Sequence, residues 1–286
     1  MMFANINGAK LFYDVDGASV RIANGKIVHK PVIFIVHGGP GGSHLGFKPY
    51  FDSLADHAQL VYVDQRGCGF SEEDQPENYT LDQNAEDIEA LRKALGLEKI
   101  YLLGHSYGGM VAMRYATRYQ KNLKGLLLLA TAPSYRFLNK AKEYVEMHGS
   151  VKQKYYAEKL WAGSFQSEEE LGDYFKELAP FYSTAAASGN AMARPKTKHS
   201  YVPLNKGFGG FMREFDLRDQ LEKVDTRTLI LAGRHDWITP VSENEEIHRR
   251  IPHSEFQVLE RSSHRIFADE QEKTLQFIQD FLNEVH

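Results

Sequence analysis

The sequence predicts an α/β fold, a mostly parallel sheet flanked by helices and interrupted once by an inserted helical lid. Three observations predict it. Short apolar runs alternate along the chain with segments of helical period, the pattern of parallel strands joined by helical crossovers. The runs themselves barely alternate between apolar and polar residues, as strands buried on both faces do. The rhythm also stops between about residue 135 and residue 215 and then resumes.

The elements follow in order. "MFANI" and "AKLFYDV" flank Asn7-Gly8, a hairpin turn signal. "PVIFIV" (31–36) is a β-branched run that reads as a buried strand. "LVYV" (60–63), "IYLL" (100–103), "GLLLLA" (125–130), "TLILA" (228–232) and "FQVLE" (256–260) read as further strands. "TLDQNAEDIEALRKALG" spaces Leu81, Ala85, Ile88, Leu91 and Leu95 as one helix face. Thr80 with Gln83 predicts a capping box at its start, and Gly96 a stop at its end.

The interrupted stretch holds no strand-like run and is rich in aromatics, among them Tyr144, Trp161, Tyr174, Phe175, Phe181 and Tyr182. "SEEELGDYFKELAPFY" reads as an amphipathic helix ended by Pro180, and "STAAASGNAMARPKTK" as a loop. A helical insertion into a sheet domain is read as a lid, which divides the chain into a core (1–134 and 216–286) and a helical cap (135–215). An aromatic core for a plain helical subdomain is compatible with that reading.

Composition bounds the function. The 286 residues are 42% hydrophobic and 25% charged, ordinary globular values, and the length suits one large α/β domain with an insertion. A formal charge of -4 with scattered signs offers no basic stripe for nucleic acid and no polybasic membrane patch. The single cysteine, Cys68, excludes an intramolecular disulfide and a cysteine-cluster metal site. No signal peptide is legible at the N-terminus, and no apolar run is long enough to cross a bilayer, so the expected location is cytoplasmic. The oligomeric state leaves no mark.

"LLGHSYGGM" carries the strongest chemical signal. A strand runs into Gly104-His105-Ser106-Tyr107-Gly108 and a helical pattern follows, the context that a G-x-S-x-G nucleophile elbow requires. The tight turn strains the serine backbone, the flanking glycines avoid clashes, and the hydroxyl stands at a helix N-terminus. A serine of ordinary pKa needs a base, and the base needs an acid to orient it. In the chain order Ser, acid, His, the sequence offers Asp236 after "TLILA" and His264 after "FQVLE", both just past strand ends. His248 and His253 flank a helix end, His199 lies in the insertion, and His105 sits inside the elbow, where a structural role is expected. "VIFIVHGGPGGSH" ends a strand in a glycine-rich loop able to bring backbone N–H groups to a reacting carbonyl. Gly39 is assigned as one oxyanion donor and Tyr107, after the nucleophile, as the other. The alternative of a phosphate loop lacks the G-K-[ST] continuation and the dinucleotide fingerprint.

"HGGPGG" (37–42), "DQRGCGFS" (64–71), "GHSYGG" (104–109), "GRHD" (233–236) and "SSH" (262–264) together make the chain resemble the α/β-hydrolase fold. More narrowly, it resembles the proline iminopeptidase family of serine aminopeptidases, over nearly the whole chain and least in the lid. The resemblance implies release of N-terminal proline or another small residue from short peptides, with no metal or cofactor and a lid that limits the site to small substrates. In some members of that family an acidic residue follows the catalytic Asp and helps hold the substrate's α-ammonium. Here Trp237 stands at that position, and it is assigned to substrate binding. An indole face attracts a cation by about 0.5–2 kcal/mol, less than a desolvated carboxylate offers. Acids of the lid such as Glu143, Glu168 and Glu177 could supply the charge or could be solvated helix faces. The alternative activity is that of a carboxylesterase, lactonase or amidase, with Trp237 and lid aromatics forming an apolar pocket for an uncharged acyl substrate. A ligand-binding receptor on a hydrolase fold is the reading from a different class.

Overall fold

The computed structural model describes residues 2–190, 192 and 195–284. Its main sheet has eight strands in the order β1-β2-β6-β5-β7-β8-β9-β10: β1 (Met2–Ile6), β2 (Ala9–Asp16), β5 (Val32–Val36), β6 (Gln59–Val63), β7 (Ile100–His105), β8 (Leu123–Leu129), β9 (Thr228–Gly233) and β10 (Ser254–Leu259). The β1–β2 and β2–β6 pairs are antiparallel and every later pair is parallel. This is the α/β-hydrolase fold expected from the sequence. A separate hairpin of β3 (Val20–Ala23) and β4 (Lys26–His29) projects from the second turn of the chain. It was not anticipated, although Asn24-Gly25 at its tip, with φ of 51° and 71°, carries the same turn signal as Asn7-Gly8.

The missing alternation in the strands has a direct cause. Along β5, Phe34 and Val36 enter one core while Ile33 and Ile35 enter the other; along β8, Leu126 and Leu128 oppose Leu127 and Leu129 in the same way. All eight side chains are sealed from solvent. On one face pack α1 (Leu81–Ala94), α2 (Tyr107–Tyr119) and α10 (Val241–Arg250). On the other pack α11 (Ile266–Asp269) and α12 (Gln271–Asn283). Burying each such side chain contributes about 1.5–3 kcal/mol.

Helix α1 begins and ends as expected, with one difference. Thr80 Oγ1 accepts from the Gln83 backbone N–H, and Gly96, at φ 66°, closes the C-terminus with Leu97 N donating to Arg92 O. The Gln83 side chain, however, turns forward to Asp87 (2.9 Å), so the reciprocal half of the capping box is absent. Asp87 is a stronger attraction because it is the buried partner of Arg66 in the "DQRGCGFS" segment (Nη2–Oδ1 2.8 Å).

Between β8 and β9 the chain is helical: α3 (Phe137–His148), α4 (Val151–Ala162), α5 (Glu168–Glu177), α6 (Ala179–Tyr182), α7 (Thr184–Ala187), α8 (Tyr201–Phe208) and α9 (Arg218–Leu221). Its two ends are pinned together by Tyr135 N to Phe215 O and Leu217 N to Pro133 O, both 2.9 Å. Pro180 starts the short α6 instead of ending α5, because a proline in a first helical turn leaves no needed N–H missing. Within the expected loop, Ser183 accepts from Ala186 N and nucleates α7; Ala191, Ala193 and Arg194 of that loop lie outside the described residues. The lid aromatics Trp161, Phe165 and Tyr174 are continuous with the first core, so the insertion is packed on the sheet domain.

Candidate active site

Four strand ends meet at one place. After β5 the chain continues to β6 on one side, and β7 lies on the other, so the crevice at the C-terminal ends of β5 and β7 is a topological switch point. The loop after β5, Ser106 after β7, Asp236 after β9 and His264 after β10 surround it.

Ser106 occupies φ 57°, ψ −123°, a conformation costing about 1–3 kcal/mol in a non-glycine residue. It is held there by Ser106 N donating to Leu129 O (2.9 Å) and by Thr131 Oγ1 donating to Ser106 O (2.7 Å). The G-x-S-x-G spacing follows from the crowding. A Cβ on Gly104 would stand 2.1 Å from Gly108 O, and one on Gly108 would stand 2.1 Å from Val36 O. The strand therefore runs into helix α2 only with hydrogens at those two positions.

His264 and Asp236 are buried and joined, Nδ1 to Oδ2 at 2.8 Å. The Asp236 carboxylate also accepts from Ile238 N (2.9 Å), Thr239 N (3.0 Å) and Thr239 Oγ1 (2.8 Å). Burial pushes this carboxyl upward, but the His264 ring and the Thr239 donors outweigh it and hold it below the usual carboxylate range. With Asp236 ionised, the proton on His264 sits at Nδ1 and Nε2 is left with its lone pair. The backbone of His264 is fixed from beneath: its carbonyl lies 2.9 Å from His105 Nε2, which therefore carries a proton. Burial, with the nearby His264 adding to it, pushes His105 down to about 3, so that ring is neutral and acts as a fixed donor.

The glycine loop is equally constrained. Gly39, at φ 127°, could not carry a side chain, since a Cβ would lie 2.6 Å from Gly41 N. Gly38 lies against Ser106, where a Cβ would be 3.0 Å from Ser106 Cβ. His37 anchors the loop from behind: Gln65 N donates to its Nε2 (3.0 Å) and its Nδ1 donates to Gly38 O (2.8 Å). Burial pushes the His37 pKa down, which keeps Nε2 an acceptor. The "DQRGCGFS" segment thus serves as a buckle; Asp64 adds bonds to the His44 and Phe70 backbone amides at 2.7 and 2.9 Å.

Ser106, His264, Gly38 and Gly39 open onto a cavity of about 310 Å³. Its other walls are largely apolar, with Phe47, Phe175, Leu204, Phe208, Ile238 and Phe267, and include Tyr174, Tyr182, His199 and Arg265. Among the described residues that line it, none is Asp or Glu. The lid acids named from the sequence lie elsewhere; Glu168, for one, accepts from Tyr201 N at the start of α8. Tyr107, expected to give the second oxyanion donor, has its side chain buried away from the cavity with its hydroxyl accepting from Asn84 (2.8 Å), and its backbone N–H stands in the first turn of α2.

Trp237 is not on the cavity wall. It is 1% exposed and packs behind Tyr182, ring centroids 5.3 Å apart, against Tyr144, Trp161 and Phe181. The cause is the turn that Asp236 closes by accepting from the amides two and three residues on: it faces Ile238 into the cavity and Trp237 into the lid core. Of these residues it is Ile238 and Tyr182, and not the Trp237 assigned to substrate binding, that line the cavity. Neither was singled out for the site from the sequence; Tyr182 carried only the general signal of an aromatic-rich insertion.

Among the described residues there is no group of three or more His, Cys, Asp or Glu able to hold a metal ion, and no helix is long and apolar enough to cross a membrane. Residues 31–271 match the alpha/beta hydrolase fold family. A proline iminopeptidase of Saccharolobus solfataricus is 32% identical over 88% of this chain and 84% of its own length. One from Clostridioides difficile is 31% identical over 96% and 95%. Among solved structures, an alpha/beta fold family hydrolase from Bacillus anthracis superposes with a TM-score of 0.79 at 24% identity, covering 98% of both chains.

Proposed function

The chain belongs to the alpha/beta hydrolase fold family, and from that premise we propose that it is a serine hydrolase acting through an acyl-enzyme on small substrates. The observation that carries the reading is the strained Ser106 opening onto the same cavity as a buried His264–Asp236 pair. His264 Nε2 takes the Ser106 proton as the hydroxyl oxygen attacks the substrate carbonyl. Asp236 stabilises the imidazolium that results and does not itself take the proton. The backbone N–H groups of Gly39 and Tyr107 receive the developing oxyanion, each worth about 3 kcal/mol in the transition state. His264 then protonates the leaving group, and a water activated by the same nitrogen releases the acid and restores Ser106. Residues 135–215 act as the cap over a site built by residues 1–134 and 216–286.

The wall chemistry favours a small, uncharged acyl group carried as an ester, lactone or amide. An α-ammonium held in a desolvated cavity requires a carboxylate, and the described walls provide none. The second reading, release of N-terminal proline, is favoured by the relatives, which are proline iminopeptidases at 28–32% identity. A fluorophosphonate probe followed by peptide mapping tests the nucleophile: labelling at Ser106 is expected, and an unlabelled protein would refute the acyl-enzyme. Turnover of short-chain nitrophenyl esters against prolyl and alanyl anilides separates the two readings. Fast prolyl release would overturn the ester assignment.

A further inference from the structure

Two tyrosines stand on the lid side of the cavity with their hydroxyl oxygens 2.6 Å apart, Tyr174 from α5 and Tyr182 from α6. Counting hydrogens makes this pair informative. Two phenols bring two protons, and the bond between them uses one. Neither hydroxyl has another partner among the described residues. The unused proton must therefore belong to whichever tyrosine can present it without loss. Tyr174 is fully buried at 0% exposure, so a spare proton there would be stranded at a cost of about 1–3 kcal/mol. Tyr182 lines the same cavity and is partly exposed, so a spare proton there has somewhere to go. Tyr174 thus donates to Tyr182, and Tyr182 points its own O–H into the cavity. Burial pushes both phenols upward from their ordinary value, so both remain protonated through the neutral range.

The position of that donor is fixed. The Tyr182 carbonyl accepts from Arg265 N (2.9 Å), and Ser263 Oγ donates to Phe181 O. The Tyr182 ring meets the His264 ring edge to face at 5.5 Å between centroids, and its other side rests on Trp237. The lid residue and the His264 loop therefore share one set of bonds, and the hydroxyl is held at a set place relative to the reacting atoms.

We infer that the Tyr182 hydroxyl, oriented by Tyr174, is a specificity-determining donor that selects substrates whose acyl part carries a neutral acceptor oxygen, a keto or ether group, beyond the reacting carbonyl. The inference rests on the serine hydrolase reading above for its catalytic test, and has a binding test that does not. A site built around a donor discriminates against the analogue that lacks the acceptor, since the buried group is then left unpaired.

Catalysis is read with 4-nitrophenyl levulinate and its near-isostere 4-nitrophenyl 4-methylpentanoate, in wild type and in Tyr182→Phe. Dividing the kcat/KM ratio of the two esters in wild type by the ratio in the variant cancels their intrinsic reactivity. That quotient is expected to be about tenfold or more in favour of the keto ester. Tyr174→Phe, which leaves Tyr182 its own proton but frees its direction, is expected to lie between the two. Binding is read on Ser106→Ala protein by ligand-observed NMR with 4-oxopentanamide and 4-methylpentanamide, with and without Tyr182→Phe. A keto preference abolished by Tyr182→Phe supports the assignment even where neither ester turns over, an outcome that would refute the hydrolase reading alone. Equal binding of the two amides, a preference that survives Tyr182→Phe, or an ester quotient below about twofold would overturn it.

Discussion

Replacing Asp236 by asparagine changes one atom and should stop the chemistry through the tautomer of His264. The carboxylate has two sides. Oδ1 accepts from the amides of Ile238 and Thr239 at 2.9 and 3.0 Å, and Oδ2 accepts from Thr239 Oγ1 and His264 Nδ1, both at 2.8 Å. An asparagine oxygen keeps the first side, because two fixed backbone donors can be met only by an acceptor. Its NH₂ must then face the second side and donate to His264 Nδ1. That moves the imidazole proton to Nε2, so Ser106 meets a donor where it needs a base. The analogous exchange in serine proteases lowers kcat by about 10⁴, equivalent to about 5 kcal/mol of transition-state stabilisation. Asp236 does not line the cavity, so KM is expected to stay within about threefold. The assay is ester hydrolysis with stopped-time fluorophosphonate labelling of Ser106, beside a thermal melt to verify the fold. A kcat within about tenfold of wild type, with normal labelling and an unchanged melt, would refute the assignment of Asp236 as the orienting acid.

His105→Gln preserves a donor to the His264 carbonyl while removing a titrating group. The folded His105 is pushed down to about 3 from an ordinary 6.5, so between those values the unfolded chain binds a proton that the folded one refuses. Stability attributable to this group is intact above pH 6.5 and falls as pH drops, by at most about 1.4 kcal/mol per unit. Urea midpoints from pH 7 to pH 4 should fall less steeply in the variant, and equal slopes would contradict the assignment. Trp237→Phe should leave KM for short acyl esters within about threefold, because the indole lies behind the wall, whereas a tenfold rise would return it to the substrate. Gly108→Ala forces a Cβ to 2.1 Å from Val36 O at the centre of the sheet, and is expected to cost more than about 3 kcal/mol or to abolish soluble protein; a wild-type melt would refute the crowding argument. Burial pushes the Cys68 thiol up, so Ellman's reagent should find no reactive thiol in native protein and one after denaturation in urea.

How far the site was legible in the sequence depends on whether its logic was local. Ser106 and the glycines around it are read from neighbours in the chain: the clash that demands Gly104 arises within one strand–turn–helix unit, at Gly108 O, and only the one that demands Gly108 comes from outside it, at Val36 O of β5. The buried strands were legible for the same reason, each needing apolar side chains toward both cores. Asp236 and His264 required only that strand ends converge, which the fold class supplies. Trp237 is next to Asp236 in sequence yet lies off the cavity wall. Three hydrogen bonds to one carboxylate reverse the direction of consecutive side chains there, and nothing in "HDWIT" announces which residue faces inward. The cavity wall was less legible still. Tyr182 is held beside His264 by bonds from Arg265 N and Ser263 Oγ, and by a distant carboxylate, Asp269, that gathers Ser183, Thr184 and Ala185 at 2.5–3.1 Å and also accepts from Ser263 N at 2.8 Å. That acid helps tie the lid to the His264 loop across more than eighty residues of chain. Pocket chemistry in this molecule is therefore set by long-range bonds between the insertion and the core. For that reason, similarity of motifs carries the hydrolytic reaction to this chain more securely than it carries the choice of substrate.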